Sequence, residues 1–166
     1  MIEGNPSSFA KLQENRPNVI ALGEAVCPEG VGSVTFAAAG TVFSGDMSAY
    51  SEGFKARWSQ HIGSDTIEVP CRPISAMFRQ HGVTQIDFWS LDVEGAELKV
   101  LETMDFEAVH VKVMIVEQDR DAPPEFSQAI AVELTNGNMC EISPSNIPRS
   151  TLWVNRASKF VDRCTD

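Results

Sequence analysis

The sequence predicts an α/β fold in which helices cover both faces of a mostly parallel sheet. Apolar strand-like runs alternate with helical patterns along the chain, as in sheets whose parallel strands are joined by helices. The runs at residues 86–93 and 110–117 are apolar on both faces, which is typical of strands covered on both sides. Asp92 and Glu117 stand at the ends of these runs, on the edge where ligands bind in such folds.

The first part of the chain contains one predicted helix and two predicted strands. Asn5 is a favoured N-cap, Pro6 is tolerated at the first helical position, and Pro17 stops the helix. The apolar runs at residues 18–26 and 33–38 predict the two strands. This order agrees with the α/β class.

The middle of the chain is less regular. Residues 40–65 are rich in Gly and Ser and have few periodic apolar residues, which predicts an irregular loop or lid. A short strand at residues 66–69 and a helix at residues 74–81 follow, and Gly82 suits a C-terminal cap of that helix.

The remaining elements complete the predicted sheet and its helical layers. Residues 96–104 and 124–136 show the apolar spacing of helices. The runs at residues 139–142 and 151–154 predict an antiparallel pair of strands at one edge of the sheet. Residues 157–166 are predicted to form a C-terminal tail.

Length and charge limit the classes of function. The chain has 166 residues, which suits a single domain over residues 1–166, and its net charge is −10. Such a charge repels phosphate backbones and anionic lipids, so neither nucleic acid nor a membrane is an expected partner. No stretch has the length of a transmembrane helix or the pattern of a signal peptide, and the predicted location is the cytoplasm.

The four cysteines are widely spaced. Cys27, Cys71, Cys140 and Cys164 form no Cys-x-x-Cys pair, which argues against a zinc site and against a dense disulfide framework. The expectation is that all four are reduced thiols.

Two strand ends define the predicted site. If the strands before Asp92 and Glu117 are neighbours, their axes lie about 4.8 Å apart and both carboxylates reach the same rim. Gly95 follows at a position where a backbone without a side chain lets chain and ligand approach closely.

Several segments together resemble one enzyme family. IEGNPSSFAKLQEN, NVIALGEAV, IDFWSLDVEGAELKVLETMDF and VKVMIVEQ are similar to segments of the FkbM-type S-adenosylmethionine-dependent methyltransferases. The likeness covers nearly all of residues 1–156, and the Asp-Val-Glu-Gly-Ala-Glu block is its most specific part. It implies a Rossmann-like class I methyltransferase sandwich with an antiparallel edge. It also implies transfer of a methyl group to a hydroxyl oxygen of a small molecule or sugar.

The resemblance also implies roles for individual residues. Glu3 matches the acid that accepts hydrogen bonds from the cofactor ribose, and Asp92 matches the position beside the donor methyl group and the acceptor hydroxyl. The cofactor-binding residues are then Glu3, Asn5, Glu24, Ala25 and Asp92. Glu94 and Gly95 are expected to contact the substrate.

One feature of the family has no counterpart here. Family members begin with a strand and a Gly-containing turn that cradles the methionine end of the cofactor, and no such motif precedes Glu3. That strand would lie between the strand ending in Glu3 and the one ending in Asp92, so two sheet edges are expected to be open. The fold is therefore predicted to be N-terminally truncated, with edges through which a homo-oligomer could form.

Alternatives remain for both chemistry and function. Asp92 is the first candidate for the base that takes the hydroxyl proton, and Glu117 is the second. The site is predicted to work without a metal, and the alternative is Mg²⁺ or Mn²⁺ held by Asp92, Glu94 and Glu117. Glu97 is expected only to favour the positive end of the following helix. The alternative function is a catalytically inactive remnant of the fold that serves as an interaction module.

Overall fold

The computed structural model describes residues 1–37, 44–58, 60, 65–118, 122–143 and 147–164. Within them the chain forms α-helices α1 (Pro6–Asn15), α2 (Glu52–Trp58), α3 (Ile74–Gln80), α4 (Glu97–Glu102) and α5 (Pro124–Asn136). The strands are β1 (Ala25–Val26), β2 (Ser33–Ala37), β3 (Thr66–Arg72), β4 (Gln85–Ile86), β5 (Trp89–Leu91), β6 (His110–Val111), β7 (Val113–Glu117), β8 (Met139–Ile142) and β9 (Ser150–Asn155). The mixture of elements confirms the α/β class.

The larger sheet, called here the C-terminal sheet, has the strand order β5-β7-β9-β8. β5 and β7 are parallel, with Leu91 opposite Val116, whereas β9 is antiparallel to both of its neighbours. The predicted antiparallel pair of strands near the C-terminus is thereby confirmed. Helices α4 and α5 pack on this sheet through Leu101, Ile130 and Leu134, which are completely or almost completely buried.

The smaller sheet, called here the N-terminal sheet, has the strand order β1-β3-β2. β1 runs parallel to β3 and β2 runs antiparallel to it. Its apolar cluster is small and consists of Ala25, Cys27, Phe36, Val69 and Cys71. The short parallel pair of β4 and β6 directly precedes the parallel pair of β5 and β7 along the chain.

The strand pairings do not confirm a mostly parallel sheet. In the part of the chain that the structure describes, three strand pairings are parallel and three are antiparallel. The N-terminal and C-terminal sheets are separate among the described strands, because no ladder joins β1 to β5. A single parallel bridge, from Ile2 to Leu22, continues the N-terminal sheet beyond β1.

The helix ends follow the local sequence chemistry. Asn5 caps α1 as predicted, since its Oδ1 atom accepts hydrogen bonds from the backbone N–H groups of Ser7 and Ser8. Helix α3 ends at Gln80, and Gly82 then adopts a φ of 63°, the left-handed conformation that glycine tolerates. Pro124 begins α5 as expected.

Three predicted elements differ from the observed ones. The strand predicted at residues 18–26 is short, because Val19 and Ile20 are exposed and the ladder includes only β1. The strand predicted at residues 86–93 is divided into β4 and β5, and Phe88 between them is 58% exposed instead of buried. Phe88 lies between the two short strands and lines a cavity, so the two-sided cover that the apolar pattern suggested is not present there.

The prediction of an irregular loop at residues 40–65 is wrong at residues 52–58. Helix α2 forms there and buries Phe54 against Tyr50, with the two ring centroids 4.7 Å apart. A weak apolar periodicity was therefore sufficient, because one aromatic pair anchors the helix. Residues 40–43, 59 and 61–64 of this stretch lie outside the described residues, as does Ala38 of the predicted strand 33–38.

The expectation of reduced thiols is also wrong. Cys27 is bonded to Cys71 and Cys140 to Cys164, and each pair has Cα atoms 5.6 Å apart. The first pair forms because β1 and β3 are in register, which places Cys27 beside the end of β3. The second ties the predicted tail to β8. Sequence spacing carries no information on such contacts, because they are made by strands distant in the chain.

Every helix in the described ranges is too short or too polar to cross a lipid bilayer.

Candidate functional site

A cavity of about 830 Å³ lies between the two sheets. Its walls are formed by the chain start, β1, the loop around Ser44 and the segment from β4 through β5 to Ala96. The predicted site residues that line it are Glu3, Asn5, Glu24, Ala25, Asp92 and Glu94. Glu117 and Gly95 lie outside this lining.

Strand register brings Asp92 and Glu117 together. Leu91 and Val116 are opposite each other in the parallel pair of β5 and β7, so the next residue of each strand reaches the same edge of the C-terminal sheet. Asp92 is exposed to the cavity, whereas Glu117 is partly buried beside it. The predicted neighbourhood of the two strands is confirmed.

A third carboxylate, Glu97, joins this pair. Asp92, Glu97 and Glu117 each offer one oxygen atom, and these atoms all lie within 4.8 Å of one another. We call these three residues the carboxylate cluster. From the sequence, the negative charge of Glu97 was expected only to interact favourably with the positive end of the following helix. A signal was present, however, because Glu97 is three and four residues from the buried Val100 and Leu101 and therefore shares the apolar face of α4.

The environment of Glu97 is unusual for a carboxylate. The residue is 1% exposed, and its Oε1 atom accepts hydrogen bonds from the backbone N–H groups of Val93, at 3.0 Å, and Gly95, at 3.3 Å. Its Oε2 atom has no hydrogen-bond partner in the described part of the chain. Burial raises the pKa of Glu97, and the negative charge of Asp92 adds to this, while the backbone hydrogen bonds oppose it.

The turn between Asp92 and Glu97 is held in a rare backbone conformation. Glu94 has a φ of 53° and Gly95 a φ of 96°. A Cβ atom on Gly95 would lie 2.9 Å from the backbone oxygen of Ala49, so this glycine is required for contact with the protein's own chain. The close approach predicted at Gly95 for a ligand is made in the structure by the backbone of Ala49 instead.

Glu117 is a carboxyl group with a strongly raised pKa. Burial raises its pKa to about 7, and the hydrogen bond and charge of Asp92 act in the same direction, as does the charge of Glu94. Arg149 opposes the shift, because its Nη2 atom donates to Glu117 Oε1 at 2.9 Å. Near neutral pH the Glu117 carboxyl group therefore changes its protonation state.

The opposite wall contains Glu3 and Asn5. Glu3 Oε1 accepts a hydrogen bond from the backbone N–H of Asn5, at 2.8 Å. The Asn5 side chain is 2% exposed, and its Nδ2 atom donates to Ser44 Oγ at 2.7 Å while its Oδ1 atom caps α1. Asn5 therefore contributes to the shape of the wall, because the nitrogen and the oxygen of its side-chain amide are both hydrogen-bonded to other residues of the chain.

Two other acids at the cavity have cationic partners. Arg72 donates to both oxygen atoms of Glu24, at 2.7 and 2.9 Å, and also contacts Gln80. Lys99 donates to Asp46 at 2.8 Å. Although burial alone would raise the pKa of Asp46, the hydrogen bonds from Lys99 and Ser48 lower it. Within the carboxylate cluster, Arg149 is the cationic side chain that the described residues supply, and it binds Glu117.

Comparison with known proteins gives one match. The family model described as the Methyltransferase FkbM domain matches residues 1–139. These residues contain the cavity lining and the whole carboxylate cluster. No curated protein and no solved structure matches the chain.

Proposed function

We propose that this chain, which belongs to the FkbM methyltransferase family, transfers a methyl group from S-adenosylmethionine to a hydroxyl oxygen of a small molecule or sugar. The observation that carries the proposal is the position of Asp92, at the end of β5 and on the wall of the cavity. In α/β proteins, ligands bind beyond the carboxyl ends of parallel strands. A Rossmann-like arrangement of the two sheets around this cavity is part of the proposal.

The cavity is suited to the methyl donor in size and in polar groups. Pockets for small molecules and cofactors occupy about 300–1,000 Å³, and this one has about 830 Å³. S-adenosylmethionine supplies an electrophilic methyl group on a positively charged sulfonium. Glu3 would hold the ribose, because a carboxylate is an acceptor for the hydrogen bonds of two hydroxyl groups. Glu24, Ala25 and Asn5 would form the adjoining wall.

Asp92 and Glu117 would act on the acceptor hydroxyl as a pair. Asp92 faces the cavity, so its carboxylate can orient the hydroxyl group and take its proton. Glu117, which has a carboxylate oxygen within 4.8 Å of one of Asp92 and a pKa of about 7, then offers the proton a second site. A positioned base of this kind contributes about 10²–10⁴-fold to a rate. Alignment of the reactants in the cavity would supply the larger part of the rate enhancement.

The pair also sets the expected pH dependence of the rate. Below pH 7 Glu117 holds a proton and the pair cannot accept another readily, so the rate should rise with pH and level off above about 7.

Binding and turnover test the proposal. Calorimetry with S-adenosylmethionine is expected to give a micromolar Kd, and release of S-adenosylhomocysteine should depend on an added sugar or hydroxylated small molecule. Asp92→Asn should lower that release by about 10²–10⁴-fold. Glu102→Gln is the matched control, since Glu102 is an exposed acid on α4 outside the cavity lining.

Two outcomes would contradict the proposal. Absence of binding up to millimolar donor would favour the interaction module over the enzyme. Equal loss of S-adenosylhomocysteine release in Asp92→Asn and Glu102→Gln would show that Asp92 takes no part in the reaction.

Sedimentation measurements in the same buffer test the expected homo-oligomer.

A further inference from the structure

The carboxylate cluster is assembled by three separate elements. Asp92 follows β5, Glu97 begins α4 and Glu117 ends β7. The parallel pairing of β5 with β7 sets the distance between the first and last of these, and the turn at Glu94 and Gly95 directs α4 back toward them. The result is three acidic oxygen atoms within 4.8 Å of one another, with no histidine or cysteine in the group.

An independent observation points to a missing ligand at this place. Glu97 is 99% removed from solvent, given its 1% exposure, and its Oε2 atom accepts no hydrogen bond from the described residues. Buried polar atoms in folded proteins almost always have a partner, and buried carboxylates are paired with a cation or bind a metal. Within the cluster, Arg149 contacts Glu117, and neither Lys99 nor Arg72 reaches it, since these bind Asp46 and Glu24.

We propose that Asp92, Glu97 and Glu117 bind one divalent cation of the Mg²⁺ or Mn²⁺ class. These ions prefer oxygen ligands and keep several water molecules, so three carboxylates are a sufficient protein contribution. On an octahedral Mg²⁺ ion with ligands at about 2.1 Å, neighbouring oxygen atoms are about 3 Å apart and opposite ones about 4.2 Å, so oxygen atoms separated by as much as 4.8 Å must move closer when the ion binds. The sequence-based alternative included Glu94, and the structure replaces it with Glu97.

The cation would extend the proposed function. The ion would lower the pKa of an acceptor hydroxyl group in the cavity, and the oxygen atom of Asp92 that does not hold the ion would take its proton. This last step rests on the proposed methyl transfer, whereas the cation site itself does not.

Titration with Mn²⁺ tests the site directly. The full chain is first stripped with a chelator, and the paramagnetic resonance signal of free Mn²⁺ is then followed without S-adenosylmethionine. One site per chain is expected. Glu97→Gln should weaken binding at least tenfold, because it removes the charge but keeps an oxygen acceptor for Val93 and Gly95. Glu102→Gln, an exposed acid on the same helix, should leave the affinity unchanged.

A second variant is needed because Glu97 is buried, so that Glu97→Gln could weaken Mn²⁺ binding by disturbing the fold. Asp92 is exposed, so Asp92→Asn is expected to fold normally, as checked by circular dichroism, and should also weaken Mn²⁺ binding at least tenfold. Unchanged affinity in Asp92→Asn, or equal weakening in Glu102→Gln, would overturn the site. Binding of S-adenosylmethionine is measured separately in chelator. If the unaltered chain binds S-adenosylmethionine but no Mn²⁺, the cation site alone is contradicted; if it binds Mn²⁺ but no S-adenosylmethionine, the methyl transfer alone is contradicted.

Discussion

The two sheets that enclose the cavity are stabilised in different ways. The C-terminal sheet is backed by eleven buried residues of one apolar cluster, which include Met114, Val116 and Leu134. The N-terminal sheet has five, and two of these are the cysteines of a disulfide. Because burial of apolar surface is the main stabilising contribution, the smaller cluster supplies less of it. A covalent bond and the Arg72–Glu24 ion pair compensate in part.

This difference separates the two parts of the proposed reaction. The carboxylate cluster is on the well-packed C-terminal sheet, so its geometry is held by many contacts. The residues expected to hold the donor, Glu3 and Glu24, are on or beside the N-terminal sheet. The side of the cavity that would bind the donor is therefore held by fewer packing contacts than the side that carries the carboxylate cluster.

The largest expected effect is that of removing the disulfide of the N-terminal sheet. Cys27 and Cys71 are separated by 44 residues, and a crosslink across such a loop stabilises by about 2–5 kcal/mol. Cys27→Ala with Cys71→Ala should lower the free energy of unfolding by this amount in urea. Removing Cys140 and Cys164, which are separated by 24 residues, should cost less, and the reverse order would contradict the comparison.

A matched pair of valines tests the packing difference. Val116 in the C-terminal sheet is 0% exposed and Val69 in the N-terminal sheet is 1% exposed. Val116→Ala should cost about 2–3 kcal/mol, because its large neighbours leave a cavity, and Val69→Ala about 1–2 kcal/mol, because the small cluster can relax. Urea unfolding measures both, and equal losses would show that the two cores are equally rigid.

The smallest expected effect is a pH dependence that belongs to the C-terminal sheet alone. The pKa of Glu117 is about 7 in the folded chain against an ordinary 4.5, so the folded state binds the proton more tightly. Stability should therefore fall as pH rises from about 4.5 to 7 and change little above that. The melting temperature in chelator shows this, and Glu117→Gln should make the decrease clearly smaller, while the buried Glu97, whose pKa is also raised, keeps part of it. An unchanged decrease in the variant would assign it to another group.

Sequence alone was informative where structure depends on neighbours along the chain. The cap at Asn5, the start of α5 at Pro124 and the antiparallel pair of β8 and β9 were predicted because capping, proline geometry and apolar alternation are local. The proximity of Asp92 and Glu117 was also predictable, since two successive buried strands joined by a helix tend to be parallel neighbours.

Tertiary structure decided the features that depend on register and on the direction of turns. Glu97 enters the carboxylate cluster because the backbone reverses at Glu94 and Gly95. Cys27 meets Cys71 because β1 and β3 pair in one register. Apolar pattern and charge count stay the same if a strand shifts or a turn bends differently. The distances between side chains change with such a shift. These distances decide whether an acid is a surface residue or a ligand, and whether a cysteine is a thiol or part of a disulfide.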